Sequence, residues 1–383
     1  VTYSLEKRNM KQTRRAVLKG MTAAALAAAL PQTRAATGSN TVNISKLDKL
    51  LAESIIIDDL CEFRPNVNTG EDEFRIASNS SITIAAPTIG SVVAAESYQS
   101  SLTRLAQLNA GINRHSDRVL LINKFTDIEK AKQESRIGIL PAFQNSTAIG
   151  TDLSRLDLFY GLGVRQIQLT HNLRNWVGDG CTERTQAGLT HFGVDLVRKM
   201  NELGIIVDVG HSGYQTTLDA IEISSKPIVF SHTNCMALCK HPRNKTDEQI
   251  KALAAKGGVM GISNFNWFVS DNPKSTLDDL LDHFDYVINL VGPDHVGIGS
   301  DFELTGFPGI DGDKMWIDHL RIYSEQERRT LKVRWPPFIK AVDNEWRYKT
   351  IARGLLSRGH SEEVVVKILG LNFQRVFREI LVA

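Results

Sequence analysis

The chain has 383 residues, 42% of them hydrophobic and 23% charged. These are ordinary values for a folded protein and exclude wholesale disorder. Four cysteines in this length exclude a disulfide-held scaffold. The formal net charge is +2, but residues 1–36 hold seven Lys/Arg and one acid. The remainder has 38 basic against 42 acidic residues, a net of −4, so there is no basic body for nucleic acid.

In chain order, the first feature is a leader. Thr13-Arg14-Arg15-Ala16-Val17-Leu18-Lys19 is followed by an Ala/Leu run from Ala23 to Leu30, then Pro31 and small residues around Ala35-Ala36. A charged region, a short apolar region and a small-residue zone form an export signal. The paired arginines make it similar to a twin-arginine signal. It implies export to the periplasm or outside the cell, with the twin-arginine machinery as partner. The apolar stretch is too short to span a bilayer comfortably.

From residue 37 onward a repeated beat predicts one domain. Eight short Ile/Val-rich runs are read as strands: Ser54–Asp58, Ile82–Ala86, Ile137–Ala142, Val164–Thr170, Ile205–Val209, Ile228–Ser231, Val259–Ser263 and Val296–Ser300. Continuous apolar runs suit parallel strands buried on both faces. Helical patterns lie between them at Leu153–Leu162, Phe192–Leu203, Asp247–Lys256 and Leu277–Val291. Glycine follows each at 163, 204, 257 and 292 (the third after Lys256), a C-cap signal. Strands alternating with helices predict an α/β fold, a (β/α)8 TIM barrel, with a doubly wound open sheet as the alternative. No Gly-x-Gly-x-x-Gly follows the first strand and no P-loop is present, which argues against nucleotides. Residues 302–350 are the least regular and read as a long loop or lid followed by helices.

A barrel of this kind gathers its site where strands end. The first run ends at Asp58-Asp59, with Glu62 close behind, the third at Gln144, and the last at Asp301. Runs four, five and six end at His171, His211 and His232. Neutral imidazole is a good zinc ligand, carboxylates complete such sites, and a nearby Asp passes protons. Cys61, Cys235 and Cys239 are read as buried thiols. Trp267 and Phe268 are read as core aromatics, and Arg328-Arg329 as part of a solvated helix face.

Several motifs together resemble the renal (membrane) dipeptidase family, peptidase family M19, of the metal-dependent amidohydrolase-like barrels. They are Leu169-Thr170-His171-Asn172, Val207-Asp208-Val209-Gly210-His211, Val229-Phe230-Ser231-His232-Thr233, His241-Pro242-Arg243-Asn244, Val296-Gly297-Ile298-Gly299-Ser300-Asp301 and Lys367-Ile368-Leu369-Gly370-Leu371-Asn372-Phe373. The resemblance implies hydrolysis of dipeptides or related small amides by metal-activated water. It makes His211 and His232 metal ligands, His171 and Asp301 catalytic, and Arg243 and His171 substrate-binding. A dipeptide-like small molecule is the implied substrate and a homodimer the implied assembly. The family pattern has His-x-Asp after the first strand, where this chain has Leu60-Cys61-Glu62, and a bridging glutamate where it has Gln144. Glu62 and Gln144 are therefore the weaker metal candidates, and one zinc ion is expected more than two. A non-catalytic ligand-binding protein of the same fold, or a lactone or ester hydrolase, are the alternatives.

Overall fold

The computed structural model describes residues 42–90, 97–306, 320, 323–334 and 336–381. The leader lies outside the described residues, as do 307–319 within the expected lid. Ten strands form one sheet. They are β1 (Ile57–Asp58), β2 (Ile84–Ala85), β3 (Val119–Leu121), β4 (Ile137–Ile139), β5 (Ala142–Phe143), β6 (Gln166–Gln168), β7 (Ile206–Asp208), β8 (Val229–Thr233), β9 (Val259–Ile262) and β10 (Val296–Ile298). All neighbours are parallel, in the order β3-β4-β2-β1-β10-β9-β8-β7-β6-β5.

The eight expected runs are all present, and the sheet closes on itself. The third run breaks at Leu140-Pro141 into β4 and β5. Its first half pairs with β2, its second with β6, and Thr88, just past β2, bridges Ala142. The chain thus has the (β/α)8 TIM-barrel fold. β3 is an addition on the outer side of β4. Its sequence Val119-Leu120-Leu121 is too short to separate from the helix ends around it.

Helix ends fall where the sequence put them. Helix His191–Leu203 starts at Thr190, whose side chain accepts from Gly193 N, and ends at Gly204 with φ of 76°. Helix Leu277–Val291 begins with a Thr276/Asp279 capping box. At the bottom of the barrel, Ile57, Ile84, Ile206, Val229 and Val259 pack with Phe373, Val376 and Phe377 of helix Asn372–Ile380. Apolar side chains thereby fill the N-terminal end, leaving polar groups for the top. Asp58 does not face the top. Its carboxylate accepts from Ser300 N (2.7 Å) and Tyr348 Oη (2.8 Å), tying β1 to the chain after β10 and to helix Arg347–Ser357.

Two glycines allow a close approach that the site depends on. A Cβ on Gly261 would lie 2.0 Å from the Ser231 carbonyl oxygen, and one on Gly299 only 1.8 Å from it. The Ser231 carbonyl therefore occupies the space those side chains would take, next to His232. Gly299→Ala is expected to cost about 1–3 kcal/mol or more through overpacking. Urea denaturation compared with the wild-type chain measures it.

Candidate active site

Three loops bring three histidines together above the barrel. His211 follows β7, His232 lies within β8, and His171 follows β6. The His171 and His211 rings stack with centroids 4.2 Å apart. His211 Nε2 lies 2.9 Å from His232 Nε2. The outer nitrogens decide what that contact is. His211 Nδ1 lies 2.8 Å from Asn172 Oδ1, an acceptor, so Nδ1 carries the proton. His232 Nδ1 lies 2.7 Å from Ser231 Oγ, and Ser231 Oγ donates to Asp208 Oδ2 at 2.5 Å. The serine proton is thus committed, and His232 Nδ1–H must be the donor to it. Both Nε2 atoms then point lone pairs at each other. Two lone pairs at this distance repel unless a cation lies between them, so the pair fits a metal ion.

The surroundings hold these rings neutral. The pKa of both His211 and His232 is pushed well below the usual range, mainly by burial and then by the charge of Arg243. Neutral imidazole is the ligating form. Asp208 is the anchor beneath. Its Oδ1 also accepts from Gly210 N (2.8 Å) and Ser231 N (3.0 Å). Burial raises its pKa, and these donors and Arg243 oppose the rise. Gln168 donates to the Gln144 carbonyl (2.7 Å) and accepts from His211 N (3.1 Å), which fixes the His211 backbone.

Two buried cations tie the same loops. Arg243 donates through Nη1 to the Gly210 carbonyl and through Nη2 to the His232 carbonyl (2.9 Å). Its Nε is enclosed and has no hydrogen-bond partner among the described residues. Expected from the resemblance to hold a substrate carboxylate, the guanidinium faces the backbone on either side of the histidine pair. Lys245 Nζ donates to the carbonyls of Val209 and Ser212, both at 2.8 Å. Burial pushes its pKa down to about 7.

Asp301 stands beside His232, with Oδ2 at 3.9 Å from Nε2. Its φ of 64° is left-handed, a conformation that Asp tolerates better than most residues. Burial pushes its carboxyl well above the usual range. Arg243 opposes this, while the charges of Glu62 and Asp58 add to it. Asp301, His171, His211 and His232 are therefore gathered in one place, with Arg243 behind them.

The other two metal candidates are engaged elsewhere. Glu62 Oε2 is ion-paired with Arg64 Nη1 (3.0 Å) and accepts from Thr88 N (3.3 Å). Gln144 Nε2 donates to Thr88 Oγ1 at 2.6 Å. Leu60 is buried and has no ligating atom. Among the described residues, no group of three or more His, Cys, Asp or Glu is placed to hold a metal ion. The residues fit an ion at the histidine pair and do not fit one at Glu62 and Gln144.

Sequence reasoning missed Asn172, Asp208, Ser231, Lys245 and Arg64. Asp208 carried a signal, being an acid inside an apolar strand. Ser231 and Asn172 each adjoin a strand-end histidine. All four cysteines are buried free thiols. Trp267 and Phe268 pack with Phe265, Leu320 and Val333, and Arg328 and Arg329 are exposed, as expected.

Comparison with known proteins finds similarity in sequence and fold. Residues 44–313 match the family described as membrane dipeptidase, peptidase family M19. Over 269 residues, 70% of the chain, it is 31% identical to a dipeptidase, tcpJ, of Claviceps purpurea; the chain spans 56% of that relative's length. A solved structure of an amidohydrolase from Pseudomonas aeruginosa superposes with a TM-score of 0.77 at 32% identity, covering 88% of this chain and 99% of that one. A structure titled as a dipeptidase and metallopeptidase shares the fold, with a TM-score of 0.71 at 18% identity over 86% of this chain and 99% of that one.

Asp59 is a buried acid near this site. Neither carboxylate oxygen of Asp59 has a hydrogen-bond partner among the described residues, and Gln166 Oε1 is similarly unmatched. Burial, then the charges of Asp208 and Asp58, push the Asp59 carboxyl well above its usual range. The folded state therefore binds the proton more tightly than the unfolded chain, and stability falls as pH rises above the unfolded value of about 3.9. Asp59→Asn removes this penalty. Its melting temperature is expected to exceed that of the wild type by a margin that widens from pH 4 to pH 8, read by thermal scans at both values.

Proposed function

The chain belongs to the membrane dipeptidase family, peptidase family M19, and from that premise we propose that it is a metal-dependent hydrolase of dipeptides or related small amides. The observation that carries this reading is the facing pair of Nε2 lone pairs, 2.9 Å apart, on His211 and His232. A zinc ion bound there lowers the pKa of water and polarises a carbonyl. We assign it one ion, because Glu62 and Gln144 are occupied by other contacts.

The protein's own groups divide the remaining work. Asp301, 3.9 Å from His232, takes the proton of the attacking water and returns it to the departing amine. His171, stacked on His211, donates to the developing charge on the carbonyl oxygen. Arg243 positions the loops of both metal-binding histidines through the Gly210 and His232 carbonyls and adds positive charge beneath the reacting centre. The residue 13–36 pattern supports an exported, periplasmic or extracellular enzyme.

The purified chain is assayed with zinc against dipeptides, including some with a C-terminal D-residue, and against lactones. Dipeptide turnover with one zinc per chain is expected. His232→Ala is expected to abolish both bound metal and turnover; retention of full activity would overturn the proposal. Ser231→Ala, which frees His232 Nδ1, is expected to weaken metal affinity by about 10–100-fold. Competition with a chelator measures that change.

A further inference from the structure

Three acidic side chains crowd the top of the neighbouring strands β1 and β10: Glu62, Asp301 and Glu303. Cys61 bridges Phe302, and Glu62 N donates to the Phe302 carbonyl, so the two strand ends run side by side. One side chain connects two of these acids. Arg64 Nη1 lies 3.0 Å from Glu62 Oε2, and Arg64 Nη2 lies 3.3 Å from Glu303 Oε1. Nη1 also donates to the Thr88 carbonyl at 3.1 Å. Thr88 in turn gives its N–H to Glu62 and accepts the Gln144 amide at its hydroxyl. Arg64, Glu62, Thr88 and Gln144 thus form one continuous network.

This network covers the positions at which the family pattern would supply the second ion. Leu60 has no donor atom, Gln144 has no charge, and the one acid left, Glu62, is already ion-paired with a guanidinium. A dication on the same carboxylate would face that guanidinium at close range and be repelled. We propose that Arg64 takes the place of a second metal ion, pairing with both Glu62 and Glu303 and excluding metal from this half of the site. The inference rests on the reading of the chain as a one-metal hydrolase and adds the residue that enforces the count. Arg64 is half-exposed at the mouth, which leaves it open to substitution without opening the core.

The test restores the missing ligands with and without the arginine. Leu60→His with Gln144→Glu is made first, then the same pair with Arg64→Met, and a third with Arg64→Lys. Zinc titration and cobalt(II) absorption read the number and affinity of bound ions, with circular dichroism as the check on folding. The Arg64→Met triple variant is expected to bind a second ion at least tenfold more tightly than the double variant. The Arg64→Lys triple, which keeps the charge, is expected to behave like the double. Equal second-ion affinity with and without Arg64, or two ions on the wild-type chain, would overturn the inference. Absence of any ion from the wild-type chain would instead strike the one-metal reading, while the comparison between double and triple variants would still decide the role of Arg64.

Discussion

Two imidazole nitrogens 2.9 Å apart, each with its lone pair turned to the other, set the terms for the top of this barrel. The outer nitrogens, which are committed elsewhere, set the geometry of this contact. Asn172 fixes one tautomer, and the Ser231–Asp208 pair fixes the other. Arg243 and Lys245 then fasten the backbone beneath, so the rings cannot turn away. The same two cations disfavour imidazolium, which would otherwise relieve the contact by protonation.

The two halves of the mouth solve the same problem differently. Over β7 and β8, the neutral nitrogens of His211 and His232 converge on each other. Over β1 and β2, a carboxylate meets a guanidinium from its own chain, and an amide meets a hydroxyl. The departures at Leu60, Gln144 and Arg64 are mutually consistent in this light. Losing a histidine ligand weakens an ion site, and an uncompensated Glu62 would then be left half-buried. A nearby arginine restores neutrality, and a neutral amide avoids adding another negative charge.

Much of this was legible in the sequence, and for identifiable reasons. Ile/Val runs and glycine stops mark a parallel barrel because burial on both faces favours apolar residues. A histidine that ends such a run must lie at the rim, which is how His171, His211 and His232 were found. The break at Leu140-Pro141 and the added strand β3 were not visible, since two- and three-residue strands leave no period to read. The network that orients the ligands was also hidden. Asn172, Ser231 and Lys245 acquire their roles through contacts across as many as 39 positions of chain, such as that from His211 to Asn172. Arg243 shows the converse. Its motif suggested a residue for substrate; the fold adds that Nη1 and Nη2 donate to two backbone carbonyls beside the histidine pair.

Asp301 stands where these two solutions meet. It lies 3.9 Å from His232 on one side and feels the charge of Glu62 on the other. Its left-handed backbone, at φ of 64°, follows from this position. The chain leaves β10 after Gly299, which must stay bare to admit the Ser231 carbonyl, and Asp301 N is drawn to the Leu60 carbonyl at 2.8 Å. The close approach that seats His232 thus also sets the turn that carries Asp301. Asp301 and His232 are held by one piece of backbone packing rather than by contact with each other. The distance between them is therefore a property of the barrel.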